Sequence, residues 1–66
     1  MYLIKIDENK KGLFDDHIQA LVDVGKVYLN KAECRYVNDK EKAKLYKDKE
    51  EAENAIDAKY EIAVKS

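Results

Sequence analysis

The first six residues, MYLIKI, alternate in a way that predicts a β-strand. Tyr2, Ile4 and Ile6 fall on one face of an extended chain, because successive side chains of a strand point to opposite sides. Leu3 and Lys5 fall on the other face. Since both faces carry apolar residues, we expect a central strand that is covered on both sides.

The last residues, YEIAVKS, alternate with the same period and predict a second strand. Tyr60, Ile62 and Val64 are expected to point inward. Glu61 and Lys65 are then expected to point outward. This is the clearest strand pattern in the chain.

The segment from Leu13 to Val24 fits two kinds of structure. As a helix it carries an apolar stripe, two acids near its start and a C-terminal stop at Gly25. The stripe consists of Phe14, Ile18, Leu21 and Val22. As a strand the same segment alternates at residues 18, 20, 22 and 24. The helix explains more of the residues, including the glycine, and both possibilities stay open.

Two short extended pieces follow, and then a helix begins at a recognisable signal. Val27 and Leu29 are expected on the face opposite Tyr28, a turn is expected at residues 30–33, and a second strand at residues 34–36. Asp48 is a good N-cap, and Glu51 stands three residues later, where a capping box places its acid. The buried stripe of this helix is predicted to be Ala52, Ala55 and Ile56.

The order β-(α)-β-β-α-β predicts an α+β fold in one small domain over residues 1–66. We expect a small antiparallel sheet with one or two helices packed on one face. A compressed split βαβ arrangement has this order. A three- or four-stranded meander with one helix is the alternative.

Composition limits both the stability and the class of this 66-residue chain. A chain this short buries only about 60% of its unfolded surface, so a second copy is expected to support it as a homodimer. Cys34 is the only cysteine, which excludes an internal disulfide and suits a reducing cytoplasm. No stretch approaches the roughly 20 apolar residues of a membrane span, so no membrane role is expected.

Clusters of reactive side chains are sparse, and we expect neither an enzyme nor a bound cofactor or metal. Asp15, Asp16 and His17 lack the further ligands of a metal site. His17 and Cys34 form a possible thiolate pair, but no oriented base or oxyanion donor accompanies them. A structural role explains each of these residues.

Residues 43–52, AKLYKDKEEA, resemble a pattern in small proteins of phages and prophages of Gram-positive bacteria. In those proteins "A-x-x-aromatic-x-[S/T/D]-x-E-E-A" joins a short strand to a short helix, often after an Asn-Asp pair such as Asn38-Asp39. The start Tyr2–Ile6 fits such proteins as well, and together these stretches cover about a third of the chain. It implies an accessory protein of a phage or mobile element that binds a host protein and inhibits or modulates it.

Tyrosine is the most informative residue type, since it makes up five of the six aromatic residues. Tyr is a favoured anchor at protein interfaces. Tyr28 and Tyr46 are each out of phase with neighbouring aliphatic residues, which predicts that they point away from the core. With the cationic Arg35 and Lys44, they are the predicted partner-binding residues.

A nucleic-acid-binding regulator is the alternative, using the segment Lys40–Lys49. This segment holds five lysines and two acids, and Tyr46 within it is an aromatic ring that can stack on a base. The net charge of −1 and the single arginine weigh against base readout. A solvated lysine face beside an acidic helix is therefore favoured for this segment.

Overall fold

The computed structural model describes residues 1–66 and shows an α+β fold with four strands and two α-helices. The strands are β1 (Tyr2–Ile6), β2 (Tyr28–Asn30), β3 (Arg35–Val37) and β4 (Glu61–Lys65), and the helices are α1 (Asp16–Asp23) and α2 (Lys49–Asn54). Two 3-10 turns, Glu8–Leu13 and Lys40–Lys42, complete the fold. Neither α-helix has the length and apolar character needed to cross a bilayer.

The sheet has the order β3-β2-β1-β4, and every neighbouring pair is antiparallel. The predicted antiparallel sheet is confirmed, but its split βαβ connectivity is wrong. In that arrangement β1 and β2 run parallel to each other and β3 lies between them. Here β2 returns beside β1 in the opposite direction, and β4 closes the other side of β1. The first and last strands of the chain are therefore neighbours.

Both ends of α1 are closed by local hydrogen bonds, which decides between helix and strand for this segment. The Asp15 carboxylate accepts from the backbone N–H of Ile18 at 2.8 Å. At the other end, Gly25 adopts φ +78°, which a side chain would disfavour. Gly25 N–H donates to Val22 O at 3.0 Å and Lys26 N–H to Leu21 O at 2.9 Å. This pair of bonds is a Schellman motif, so the glycine ends the helix as predicted.

The capping signal at Asp48 is confirmed. Its carboxylate accepts from Glu51 N–H at 2.8 Å and opens α2. Ala52 is fully buried in the middle of this short helix. Because Ala52 has so small a side chain, the helix backbone approaches β1 and β4 closely.

Both α-helices pack on the same face of the sheet, above two small clusters of buried residues. One cluster lies under α2 and consists of Ile4, Tyr46, Ala52 and Ala63. The other lies under α1 and consists of Ile6, Ile18 and Val27. The opposite face of the sheet carries no α-helix. We call it the helix-free face.

The phase predicted for β4 is wrong. Ile4 pairs with Ala63, so Ala63 and its same-face neighbour Glu61 lie under the helices and are buried. Ile62 and Val64 lie on the helix-free face and are only half-buried. The predicted alternation of β4 is correct, but the inward face is the other one. The small side chain of Ala63 allows α2 to approach closely, and the larger Ile62 and Val64 do not lie under the helix.

The hairpin between β2 and β3 turns one residue later than predicted. Asn30 pairs with Arg35, so the loop is residues 31–34 and Cys34 lies outside the strand. Cys34 adopts φ +53°, a conformation that is uncommon for residues other than glycine. The Asn30 side-chain oxygen accepts from Glu33 N–H at 3.0 Å, which takes the place of a glycine-directed turn.

Candidate functional site

A cleft of about 320 Å³ lies between α1 and β3 and has more apolar residues in its wall than the other cavity in the structure. We call it the α1–β3 cleft. Ile18 and Leu21 line it from the helix, while Tyr36 of β3 and Tyr60, the residue before β4, line it from the side of the sheet. Ile18 is buried and the other three side chains are half-buried, which gives the cleft an apolar wall that water-soluble ligands with an apolar group can contact.

The rim of the cleft carries polar side chains, three of them basic in type. They are His17, Lys26, Cys34 and Arg35. Arg35 reaches back to Glu33, with a guanidinium nitrogen 2.8 Å from the carboxylate. Lys26 makes no ion pair, so its ammonium group is available to a ligand. The rim therefore offers one free cation beside an apolar wall.

A buried carboxylate supports the tyrosines of the cleft. The Glu61 side chain accepts from the Tyr36 hydroxyl and from the backbone N–H groups of Asp57 and Ala58, the latter two at 3.1 and 3.3 Å. Tyr60 stands next to this network, its hydroxyl 3.5 Å from that of Tyr36. Glu61 thus fixes the Tyr36 ring from below and ties the sheet to the loop after α2.

The same network changes the titration of Tyr36. Burial raises the pKa of Tyr36 above its ordinary value of 10.0, and the hydrogen bond to the Glu61 carboxylate raises this pKa further. Tyr36 is therefore a neutral hydrogen-bond donor in the folded chain over the physiological range.

An alkaline loss of stability follows from this raised pKa. Because the folded pKa lies above the unfolded value, the stabilisation is complete below about pH 10 and falls as the pH rises further. We expect the difference in urea-unfolding free energy between the wild type and Tyr36→Phe to shrink as the pH rises from about 10 to about 11. An unchanged difference across this range would contradict the buried Tyr36–Glu61 pair.

The second cavity, of about 370 Å³, is lined by lysines and lies at the end of β2. We call it the lysine pocket. Lys31 from the hairpin and Lys42 and Lys44 from the segment before α2 meet there beside Asn30 and Ala32. Lys31 also bonds to Asp57 at 3.2 Å, and this bond raises the pKa of Lys31. One of the three cations is thus already paired.

The four predicted partner-binding residues lie in four different places. Arg35 is on the rim of the α1–β3 cleft, and Lys44 is in the lysine pocket. Tyr28 lies on the helix-free face, where the Lys5 ammonium group is 6.0 Å from its ring centroid. Tyr46 is in the core. The structure therefore does not bring them together as one surface.

The prediction that Tyr46 points away from the core is wrong. Tyr46 and Tyr2 exchange backbone hydrogen bonds of 2.9 and 2.7 Å, so the two side chains share the helix-covered face. Tyr46 is 5% exposed and its hydroxyl has no hydrogen-bond partner, whereas Leu45 is 47% exposed. Leu45 and Tyr46 do point to opposite sides, as predicted, but it is the Tyr46 ring that fills the core.

Burial of Tyr46 also removes the aromatic ring that the nucleic-acid hypothesis needs. A ring packed against Ile4 and Ala52 is not available to stack on a base. Lys44 lies over this ring, with its ammonium nitrogen 5.3 Å from the centroid. The lysines of the segment are still exposed, so phosphate contacts rather than stacking are what this surface can offer.

His17 and Cys34, the two reactive side chains, both line the α1–β3 cleft. The Cys34 thiol contacts Lys31 O at 3.5 Å, and no hydrogen bond joins it to His17. No three side chains of the types that ligate metals come together anywhere in the structure. Asp15, the first acid of the sequence cluster, is engaged as the N-cap of α1.

Several residues of the cleft carry no local signal that marks them in the sequence. Leu21, Lys26 and Tyr36 belong to separate segments, and only the antiparallel return of β2 and β3 brings them together. Glu61 reads as a surface residue in an alternating strand. A carboxylate between Tyr60 and a run of apolar residues is the one feature that hints at a buried acid.

Comparison with protein families, with curated proteins and with solved structures finds no match to this chain.

Proposed function

We propose that the protein is a non-catalytic binding module, encoded by a phage or mobile element, that binds a host protein and inhibits or modulates it. The α1–β3 cleft is the proposed binding surface. The observation that carries this proposal is the combination of an apolar wall with the unpaired Lys26 on its rim. The resemblance of residues 43–52 to small phage proteins supports the origin and the host partner.

The chemistry of the cleft defines the group it accepts from the partner. An aliphatic or aromatic side chain fits between Leu21 and Tyr36, because both present half-buried apolar surface. A carboxylate next to that side chain can reach Lys26, or can replace Glu33 on Arg35. The expected epitope is therefore a large apolar residue beside an acidic residue on the surface of the host protein.

A charge placed in the cleft tests this function. Leu21→Glu puts a carboxylate on the apolar wall, so we expect at least a tenfold loss of partner captured from a Gram-positive lysate. Leu13→Glu is the matched control, since Leu13 is 51% exposed and lies outside the cleft. Circular dichroism checks that both variants are folded. Equal capture by Leu21→Glu and wild type would refute the role of the cleft.

The proposal includes a cytoplasmic location and a homodimeric state. The single cysteine is exposed and unpaired, and such a thiol persists in a reducing compartment. The buried core is small, with only Leu3, Ile4 and Ile6 as large side chains that are fully buried. A second copy adds buried surface that a chain of this size lacks.

The lysine pocket favours nucleic-acid binding as the second candidate function. Lys42 and Lys44 project there together with Lys31, and these cations can contact the phosphates of a strand. Such binding weakens steeply with salt. A gel shift at low salt that Lys42→Glu abolishes and Leu21→Glu leaves intact would support this candidate over the cleft.

A further inference from the structure

The strand β4 forms an unprotected edge of the sheet. It is the last strand in the order β3-β2-β1-β4, and only β1 pairs with it. No other strand follows it, and α2 lies on the face of the sheet rather than along this edge. At five residues β4 is long enough to accept another strand.

The direction of each backbone group in β4 follows from the hydrogen bonds of β1. Tyr2 and Ile6 bond away from β4, to Tyr46 and to Val27 respectively. Asp7 N–H and Met1 O bond towards the β4 side, to Tyr60 and Ser66. Since neighbouring residues of a strand alternate, Leu3 and Lys5 bond to Val64 and Ile62.

The remaining residues of β4 therefore present their backbone groups to the outside. These are Ala63 and Lys65, each with an N–H and a C=O, and Glu61 with its C=O. The Glu61 N–H is already bonded to Ala58 O at 3.1 Å. The free edge thus carries two donors and three acceptors at a spacing of two residues, which is the pattern an antiparallel strand requires.

We propose that two copies of the chain pair through β4, antiparallel about a two-fold axis at Ala63, and form a continuous eight-stranded sheet. In this register Ala63 exchanges two hydrogen bonds with Ala63 of the second copy. Lys65 N–H donates to Glu61 O of the other copy, and the two-fold axis repeats this bond. The two free donors of each edge, the N–H groups of Ala63 and Lys65, then both have an acceptor. The Glu61 N–H, which already bonds to Ala58 O, is not needed.

Side chains on the helix-free face agree with this register and with a second copy as the occupant. Ile62 of each copy lies opposite Val64 of the other, in the non-hydrogen-bonded positions where cross-strand side chains are closest. Both residues are only half-buried in the single chain. Leu3, which is fully buried, lies beside Val64 in the register of β1 and β4, so Ile62 and Val64 are the residues of this face that a second copy would cover. This pairing is independent of what the α1–β3 cleft binds.

Sedimentation and amide exchange of the full chain test this interface together. We expect a mass that rises with concentration from 7.7 kDa to twice that value. The amides of Ala63 and Lys65 are expected to become protected as the dimer forms, while those of Ile62 and Val64 are protected at all concentrations. A constant mass of 7.7 kDa, or a dimer whose Ala63 amide exchanges freely, would overturn the proposal.

Two proline variants separate the edge from the fold. Lys65→Pro removes an outward donor and keeps the ladder to β1, so we expect about 25-fold weaker dimerisation, because each of two hydrogen bonds contributes about a factor of five. Ser66→Pro removes the inward bond to Met1 O and is expected to dimerise as the wild type does. Equal dimerisation of Lys65→Pro and Ser66→Pro would contradict this register. Partner capture by a monomeric Lys65→Pro reports on the cleft separately.

Discussion

Ile4→Ala is expected to lower the free energy of unfolding by about 3 to 4 kcal/mol. Ile4 is 1% exposed and lies against Ala52 of α2 and Ala63 of β4. Both of these neighbours are alanines, whose short side chains cannot move in to fill the space that the substitution leaves. The cost is therefore near the upper part of the range for such truncations.

The effect of this substitution is large relative to the whole stability of the chain. A domain of 66 residues is stabilised by only about 3 to 10 kcal/mol, so Ile4→Ala removes at least about a third of that free energy. Urea unfolding, monitored by circular dichroism, measures this loss of free energy. Leu45→Ala is the control and should change the free energy by less than about 0.5 kcal/mol, since Leu45 is largely exposed. Similar losses for both variants would contradict the placement of the core.

Glu61→Ala is expected to lower the free energy of unfolding by about 3 kcal/mol. The substitution removes the acceptor of the Asp57 and Ala58 N–H groups and leaves the Tyr36 hydroxyl only the Tyr60 hydroxyl at 3.5 Å. An unsatisfied buried donor costs about 1 to 3 kcal/mol, and partial access of water to the loop after α2 reduces the sum. Glu61→Gln retains one acceptor oxygen and should lose about half as much.

The comparison with an exposed acid makes this second result specific. Glu53→Ala removes a carboxylate from the solvent face of α2 and should change the free energy by less than about 0.5 kcal/mol. A loss for Glu61→Ala no greater than that for Glu53→Ala would show that Glu61 points to solvent. The alternating pattern alone predicts that outward orientation, so urea unfolding decides between the two phases of β4.

Local signals predicted the parts of the fold that depend on a few neighbouring residues. Asp48 caps α2 and Gly25 ends α1, because each of these interactions lies within one turn of the chain. The strands at both termini were predicted from their alternation. The order of the strands in the sheet was not predicted. The elements follow one another along the chain in the same order whether β2 lies beside β1, as here, or is separated from β1 by β3, as in the split βαβ arrangement.

The faces of the strands were harder to predict, because two phases of one alternation differ only in what packs above them. In β4 the small Ala63 lies under α2, and this close approach leaves Ile62 and Val64 on the helix-free face. At Tyr46 the backbone pairing with Tyr2 turns the ring inward. Neither contact is visible without knowing which segment lies beside β1.

The candidate site was predicted least well, for the same physical reason. Arg35 was identified from its own chemistry and does lie on the rim of the α1–β3 cleft. Leu21, Tyr36 and Tyr60 read as ordinary core positions, and their half-exposed wall exists only where α1 stops short of covering β3. Glu61 is buried beneath them because its carboxylate accepts hydrogen bonds from the loop after α2, and the sequence does not show where that loop lies.

A photo-crosslinker on Cys34 tests the binding role of the cleft most directly, because this residue is the only cysteine, is exposed and lines the cleft. We predict that the labelled chain forms a covalent adduct with one host protein, and that Leu21→Glu prevents it. The control is a Cys34→Ser, Leu45→Cys chain labelled on the exposed segment before α2. An adduct that forms equally well from residue 45, or that persists in Leu21→Glu, would contradict the cleft as the binding surface.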